Sequence, residues 1–225
     1  MENTICTNDI EILFEDADIL VINKPSGVLS EDSPKGEKGI ISFLQNEKRN
    51  DIHLLHRLDR EVGGVMVFAK NKKSASALST DIANGKFYKF YLAVTDGIPE
   101  SDEGVYKDLL FKDSKKNRSF VVNRMRKGVR EASLEYVVLE KNDKNALVRV
   151  LLHTGRTHQI RVQFSSRKTP LTGDGRYGSK VRDCNIALYS YKISFNHPRT
   201  KEKVEFVSNP DLNIYPWNVG CENNA

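Results

Sequence analysis

The sequence predicts an α+β fold, a mixed, mostly antiparallel central sheet with flanking helices. Two observations carry this. Predicted strands outnumber predicted helices, and several neighbouring strands are joined by short turns rather than by crossover helices. No internal repeat, low-complexity segment or long Pro/Gly linker breaks the 225 residues. Residues 1–225 therefore read as a single domain, long enough to bury a sizeable core.

Along the chain, Glu11 to Asn23 reads as a hairpin: Ile12 and Phe14 alternate with polar neighbours, Glu15-Asp16-Ala17-Asp18 turns the chain, and Ile19 to Ile22 is apolar. Lys24-Pro25-Ser26-Gly27 then ends the apolar run with turn residues. Ile40 to Asn46 suits a short helix and Gly64 to Ala69 a strand. Lys72 to Ala83 is a helix with Gly85 near its C-terminal end. Strands are expected over Phe87–Thr95, Gly104–Phe111, Ala132–Leu139, Ala146–His153, Ile186–Phe195 and Lys203–Val207. Between Ala146–His153 and Ile186–Phe195, the segment Thr157 to Ser166 reads as a helix begun by a threonine cap.

Composition excludes several classes. Hydrophobic residues are 39% and charged residues 29%, an ordinary globular balance. No run of about 18 apolar residues exists, so no membrane helix is expected. Residues 1–9 lack the basic start and apolar middle of a secretory signal, which makes the cytosol the expected location. Cys6, Cys184 and Cys221 are odd in number and widely spaced, so neither a disulfide framework nor a structural metal site is expected.

Net charge is +5, but its distribution is uneven. From Lys112 to Arg130 eight basic residues (Lys112, Lys115, Lys116, Arg118, Arg124, Arg126, Lys127 and Arg130) face one acid, Asp113. That window is +7 and the remainder of the chain −2. Ser165 to Arg182 adds five basic residues against one acid. Localised positive charge suits a polyanion, whose phosphates release counterions on contact. Two solvated loops would read the same way from composition alone.

Three segments carry candidate chemistry. Leu55-His56-Arg57-Leu58-Asp59 puts a carboxylate on a loop feeding an apolar strand, a place where functional side chains are common and also where turn residues are. Thr154-Gly155-Arg156-Thr157-His158-Gln159-Ile160-Arg161 crowds two arginines, a histidine and a glutamine at a strand-to-helix junction, where free N–H groups favour anions. In Phe87-Tyr88-Lys89-Phe90-Tyr91 strand alternation sets Phe87, Lys89 and Tyr91 on one face; a ring near a basic residue can stack a nucleobase or simply fill the core.

These segments occur together and in order, and the chain thereby resembles the RluA-like family of RNA pseudouridine synthases. The resemblance rests on Lys24-Pro25-Ser26-Gly27, His56-Arg57-Leu58-Asp59, Lys89-Phe90-Tyr91-Leu92-Ala93, Gly155 through Arg161, and Gly173-Asp174-Gly175-Arg176-Tyr177-Gly178. It implies a pseudouridine synthase catalytic fold and no cofactor or metal. It implies Asp59 as the catalytic aspartate, acting as nucleophile at the sugar C1′ or as base on its 2′ hydrogen. Arg161 would pair with that carboxylate, and replacing it with Met should stop turnover while the fold survives. Tyr91 would pack on the target base. His56, Arg57, Arg156, His158 and Gln159 would contact substrate, Arg57 filling the gap left by a flipped nucleotide. Lys115, Lys116, Arg118, Arg124, Arg126 and Lys127 would track phosphates.

The expected partner is ribosomal or transfer RNA, with a monomer in the cytosol and no membrane. Only about ten residues precede the first strand, so no N-terminal RNA-binding accessory domain is expected. The chain departs from the family pattern at Val62-Gly63-Gly64, where Thr-Ser-Gly is usual, and at Gln163, where histidine is usual. A histidine of the strand after the Gly-Asp motif is also replaced within Ala187-Leu188-Tyr189-Ser190. Two rival readings remain: a non-catalytic RNA-binding module that kept the fold, and a metal-dependent hydrolase using His53, His56, His153, His158 and Asp59.

Overall fold

The computed structural model describes residues 10–46 and 51–219. Among the described residues, eleven strands and three helices fall into two compact units. Of the described residues, the first comprises 10–46, 51–89 and 190–209, the second 90–189 and 210–219. Strands β5 (Tyr88–Asp96) and β10 (Leu188–Asn196) each include residues of both units.

In the first unit the hydrogen-bonded order is β1 (Glu11–Glu15), β2 (Ile19–Lys24), β4 (Gly63–Ala69) and β10, with β3 (His53–Leu54) on β4 and β11 (Lys203–Val207) on β10. The predicted hairpin is β1–β2, turned by Asp16, whose Oδ1 accepts the amides of Asp18 and Ile19, each at 2.8 Å. Every residue of β4 is buried, so its sequence is a continuous apolar run rather than an alternation. The core joins Ile19, Val21, Val65, Val67 and Leu78 to Phe87, Ile193 and Phe195, and the rings of Phe87 and Phe195 stack at 4.9 Å. Helices α1 (Ile40–Asn46) and α2 (Lys72–Ala83) lie where the sequence places them. Asn71 caps α2 by accepting the Ser74 amide at 2.8 Å, an interaction worth about 1 kcal/mol.

In the second unit the order is β5, β9 (Asn145–Leu152), β8 (Val129–Lys141), β6 (Glu103–Asp113) and β7 (Arg118–Val122). The pairs β6–β7, β6–β8 and β8–β9 are antiparallel, as are β1–β2, β2–β4, β3–β4 and β10–β11 in the first unit. The sheet is thus mostly antiparallel, as expected. Tyr106, Tyr136 and Phe164 form a mutual aromatic cluster with centroids 4.7–5.6 Å apart.

The basic window Lys112–Arg130 holds the end of β6, all of β7 and the start of β8. One expectation needs correction. The third helix, α3, spans Gln159–Ser165 and is not capped by Thr157. Its N-cap is His158, held in the left-handed region at φ 54° with no side-chain capping bond. The backbone reverses sharply there, so the helix cannot start before it.

Two features of the first unit yield tests. Gly64 has φ +114°, and a Cβ there would overlap the Ser190 carbonyl oxygen. Gly64→Ala is expected to cost at least about 2 kcal/mol, read as a lower denaturant midpoint at unchanged slope. His56 has a buried Nδ1, and its Nε2 accepts the Val67 amide at 3.1 Å, which fixes the neutral ring. Burial, with a smaller contribution from the Lys89 charge, pushes its pKa down from 6.5 to about 3. The unfolded chain takes up this proton below pH 6.5 while the folded one does not, so stability falls as pH falls from 6.5 toward 3. Relative to His56→Asn, wild type should lose about 1.4 kcal/mol per pH unit within that window; a pH-independent difference would contradict the assignment.

Candidate active site

Asp59 sits half-buried on the loop between β3 and β4 in the first unit. The loop is held from outside itself. Lys24, the last residue of β2, is fully buried, and its ammonium donates to the carbonyls of Pro25 and Val28 at 2.8 Å and of Arg60 at 3.3 Å. Gly27 N–H donates to the Arg60 carbonyl at 2.8 Å, and Ser26 Oγ to the Glu61 carbonyl at 2.6 Å. Ser30 Oγ donates to the Leu58 carbonyl at 2.8 Å and accepts the Leu58 amide at 3.0 Å. The Val62 amide closes a turn onto the Asp59 carbonyl at 3.0 Å. The Lys-Pro-Ser-Gly segment is therefore the cradle of the Asp59 loop. Burial pushes the Lys24 ammonium down to about 7; Asp59 opposes this, Arg60 adds to it, and Glu61 opposes it.

The arginines flanking Asp59 are both engaged. Arg57 pairs with Glu31, and Arg60 makes a two-pronged contact with Glu37 at 2.5 and 2.6 Å. His56 points inward: its ring lies 5.8 Å from that of Phe87 in the core.

The remaining candidates lie in the second unit. Arg161 is 3% exposed and Asp174 0%. The arginine binds that carboxylate through Nε at 2.6 Å and Nη2 at 2.9 Å, a buried bidentate pair. Tyr177 lies beside it, with the Arg161 and Arg118 guanidinium groups 5.1 and 5.0 Å from its ring centre. Its hydroxyl accepts the Ser119 amide at 2.8 Å and bonds His158 Nδ1 at 2.9 Å. Burial raises the Tyr177 pKa. Gln159 is buried, its Oε1 accepting Thr154 Oγ1 and the Arg156 amide while Nε2 donates to the Ser133 carbonyl. Arg156 is exposed and its Nε donates to the Glu131 carbonyl at 2.9 Å. Tyr91 is buried.

The basic residues divide by environment. Lys115, Lys116, Arg124, Arg126 and Lys127 are exposed, and Arg126 lies 5.1 Å over the Phe111 ring. Arg118 instead turns inward between Phe120 and Tyr177, with a buried Nε that has no hydrogen-bond partner among the described residues.

The pair with Asp174 makes Arg161→Met a poor probe, since it would strand a buried carboxylate. Asp174, Lys24 and Arg60 stand in or beside the motif segments, and the sequence assigns them no role. The available signals are a lysine closing an apolar strand and an aspartate fixed after Gly173. One histidine–carboxylate group among the described residues has ligand atoms close enough to hold a metal: Asp16, Asp18 and His197. Its atoms already serve the fold, with Asp16 bonded to His197 and Asp18 paired with Arg199. His53 bonds Asp51 and His153 bonds Glu135, so neither is arranged with Asp59 as a metal set.

Comparison with known proteins bears on the family and the fold. The family model described as RNA pseudouridylate synthase matches residues 18–166. An uncharacterized RNA pseudouridine synthase of Aquifex aeolicus is 34% identical, over 92% of this chain and 72% of that protein. Another, YlyB of Bacillus subtilis, is 35% identical over 88% and 68%. The ribosomal large subunit pseudouridine synthase C of Buchnera aphidicola is 33% identical over 89% and 67%. Among solved structures, human RNA pseudouridylate synthase domain containing 4 superposes with a TM-score of 0.75 at 26% identity, covering 90% of this chain and 89% of that one. No helix among the described residues is long and apolar enough to cross a membrane. With the motifs, the fold and these relatives in agreement, the chain belongs to the RNA pseudouridylate synthase family.

Proposed function

We propose that this protein converts selected uridines of structured RNA to pseudouridine, with Asp59 as the group that acts at the sugar. The observation that carries the reading is the build of the Asp59 loop: a half-buried carboxylate on a segment tied by the side chains of Lys24, Ser26 and Ser30 and by the Gly27 amide. Such fixation suits a side chain that must meet one carbon of one nucleotide. The reaction breaks N1–C1′, turns the uracil, joins C5 to C1′ and releases the C5 proton. Arg161, held by Asp174, and Tyr91, as the ring that stacks the base, would also serve the reaction, the stacking being worth roughly 1–3 kcal/mol.

A relative named for the ribosomal large subunit makes ribosomal RNA the first substrate to try, with transfer RNA the alternative. The exposed Lys115, Lys116, Arg124, Arg126 and Lys127 would track its phosphates.

The decisive experiment is tritium release from ribosomal and transfer RNA transcripts labelled at uridine C5. Wild type should release tritium and Asp59→Ala should not. Arg161→Lys, which keeps a charge beside Asp174, should fold and lose at least about a hundredfold in rate. A near wild-type rate would remove Arg161 from the mechanism. Binding without release by wild type would favour a non-catalytic RNA-binding module. Separately, Lys115→Ala with Lys116→Ala should weaken RNA binding and flatten the log–log salt dependence by roughly 1.5. An unchanged slope would mean these lysines do not meet phosphate.

A further inference from the structure

Arg57 and Arg60 stand two residues before and one residue after Asp59, beside the carboxylate proposed to act on RNA. Both charges are already matched, by Glu31 and Glu37 of a single loop. That loop is ordered by its own bonds. Asp32 accepts the Gly39 amide at 2.9 Å, the Ser42 hydroxyl at 2.7 Å and the Lys38 ammonium at 2.8 Å. Ser33 N–H donates to the Glu37 carbonyl at 2.8 Å, and Ser33 Oγ accepts the amides of Lys35 and Glu37 at 3.2 Å. Gly39 backs directly onto the Glu31 backbone, where a Cβ would overlap the Glu31 carbonyl. The two carboxylates are thus presented by a preorganised frame.

We propose that Glu31 and Glu37 are intramolecular competitors of RNA, holding Arg57 and Arg60 until RNA displaces them. The proposal rests on the RNA-modifying function proposed for the Asp59 loop. At Arg60 the chemistry is an exchange of like for like, since a guanidinium fork donates to a phosphate in the same two-pronged geometry as to a carboxylate; at Arg57 the guanidinium leaves Glu31 for the gap of the flipped nucleotide. The exposure of the pairs makes the exchange cheap. Their side chains are 42–57% exposed, so water and salt weaken them, whereas the Arg161–Asp174 pair at 3% and 0% is sealed. Binding then costs the release of two weak contacts, and an RNA that engages only one of the two arginines recovers only one. Glu31 and Glu37 therefore act as specificity determinants beside the candidate catalytic loop.

The test is RNA affinity of full-length Glu31→Gln and Glu37→Gln, with Glu100→Gln as control. Glu100 is exposed, pairs with no base among the described residues, and changes net charge equally. Each test variant should bind about two- to fivefold more tightly than the control at low salt, and the gain should shrink as salt rises. In an Arg57→Ala background Glu31→Gln should gain nothing over the control, since the contact it releases is gone. Affinity equal to the control, or weaker, would overturn the proposal and make the carboxylates struts that aim the arginines. Wild-type tritium release measured alongside separates the failures: release with no tightening sinks the competitor role alone, and no RNA binding by wild type sinks both.

Discussion

The ammonium of Lys24 is the contact on which the Asp59 loop depends. An uncompensated charge in a protein interior is costly, so it must be met by acceptors. Here they are three backbone carbonyls, two from its own segment and one from Arg60, thirty-six residues away. That third bond ties the end of β2 to the residue after Asp59. Because β2 pairs with β4 from Ile19–Ala69 to Lys24–Gly64, the Asp59 loop is fixed at its exit by the sheet and at its middle by the lysine. The register of β2 and the position of the carboxylate are set by one arrangement.

The second unit solves a similar problem with a pair. Arg161 and Asp174 are buried together, and the bidentate geometry uses both carboxylate oxygens. Tyr177 then lies against the arginine, so its ring is fixed by charge as well as by its hydroxyl bonds to Ser119 and His158. Gly173 must precede this aspartate, because a Cβ there would overlap the Asn185 carbonyl oxygen. Glycine, aspartate and tyrosine of the Gly-Asp-x-x-Tyr-Gly segment each have a separate structural reason.

Much of this is legible in the sequence and some of it is not, for identifiable reasons. Helices α1 and α2 are bounded correctly, α2 with Gly85 marking its C-terminal end. Strand β7 is hidden because Arg118 and its basic neighbours dominate the local pattern, while the buried residue that reveals pairing is a serine, Ser119. Strand β3 has two residues, too few for any periodicity. The α3 start is masked because Thr157 is a usual capping type, whereas a histidine in the left-handed region is an exception. The motifs pick out the residues of the candidate site, but not their partners. Nothing in a spacing of thirteen residues says that Arg161 grips Asp174, or that Glu31 meets Arg57.

The departures from the family pattern are the best guide to what the loop needs. Val62-Gly63-Gly64 lacks the two hydroxyls usual after the aspartate, yet the loop is not left without hydroxyl support. Ser26 and Ser30 supply it from the opposite side, at the Glu61 carbonyl and at both backbone groups of Leu58. Val62 is 2% exposed and contributes apolar burial plus a turn-closing amide, neither of which requires a hydroxyl. Gly64 is the position in that triplet with no freedom, since its backbone and the approach of Ser190 admit only glycine. At Gln163 the Nε2 donates to the Asp108 carboxylate at 2.7 Å and to the Tyr106 carbonyl at 3.3 Å, while Oε1 is buried with no hydrogen-bond partner among the described residues. The order of the Asp59 loop is therefore carried by the segment that cradles it rather than by the residues just after the carboxylate. Replacement of the hydroxyl residues at 62 and 63 is tolerated by the architecture, and the constraint falls on Lys24, Ser30 and Gly64.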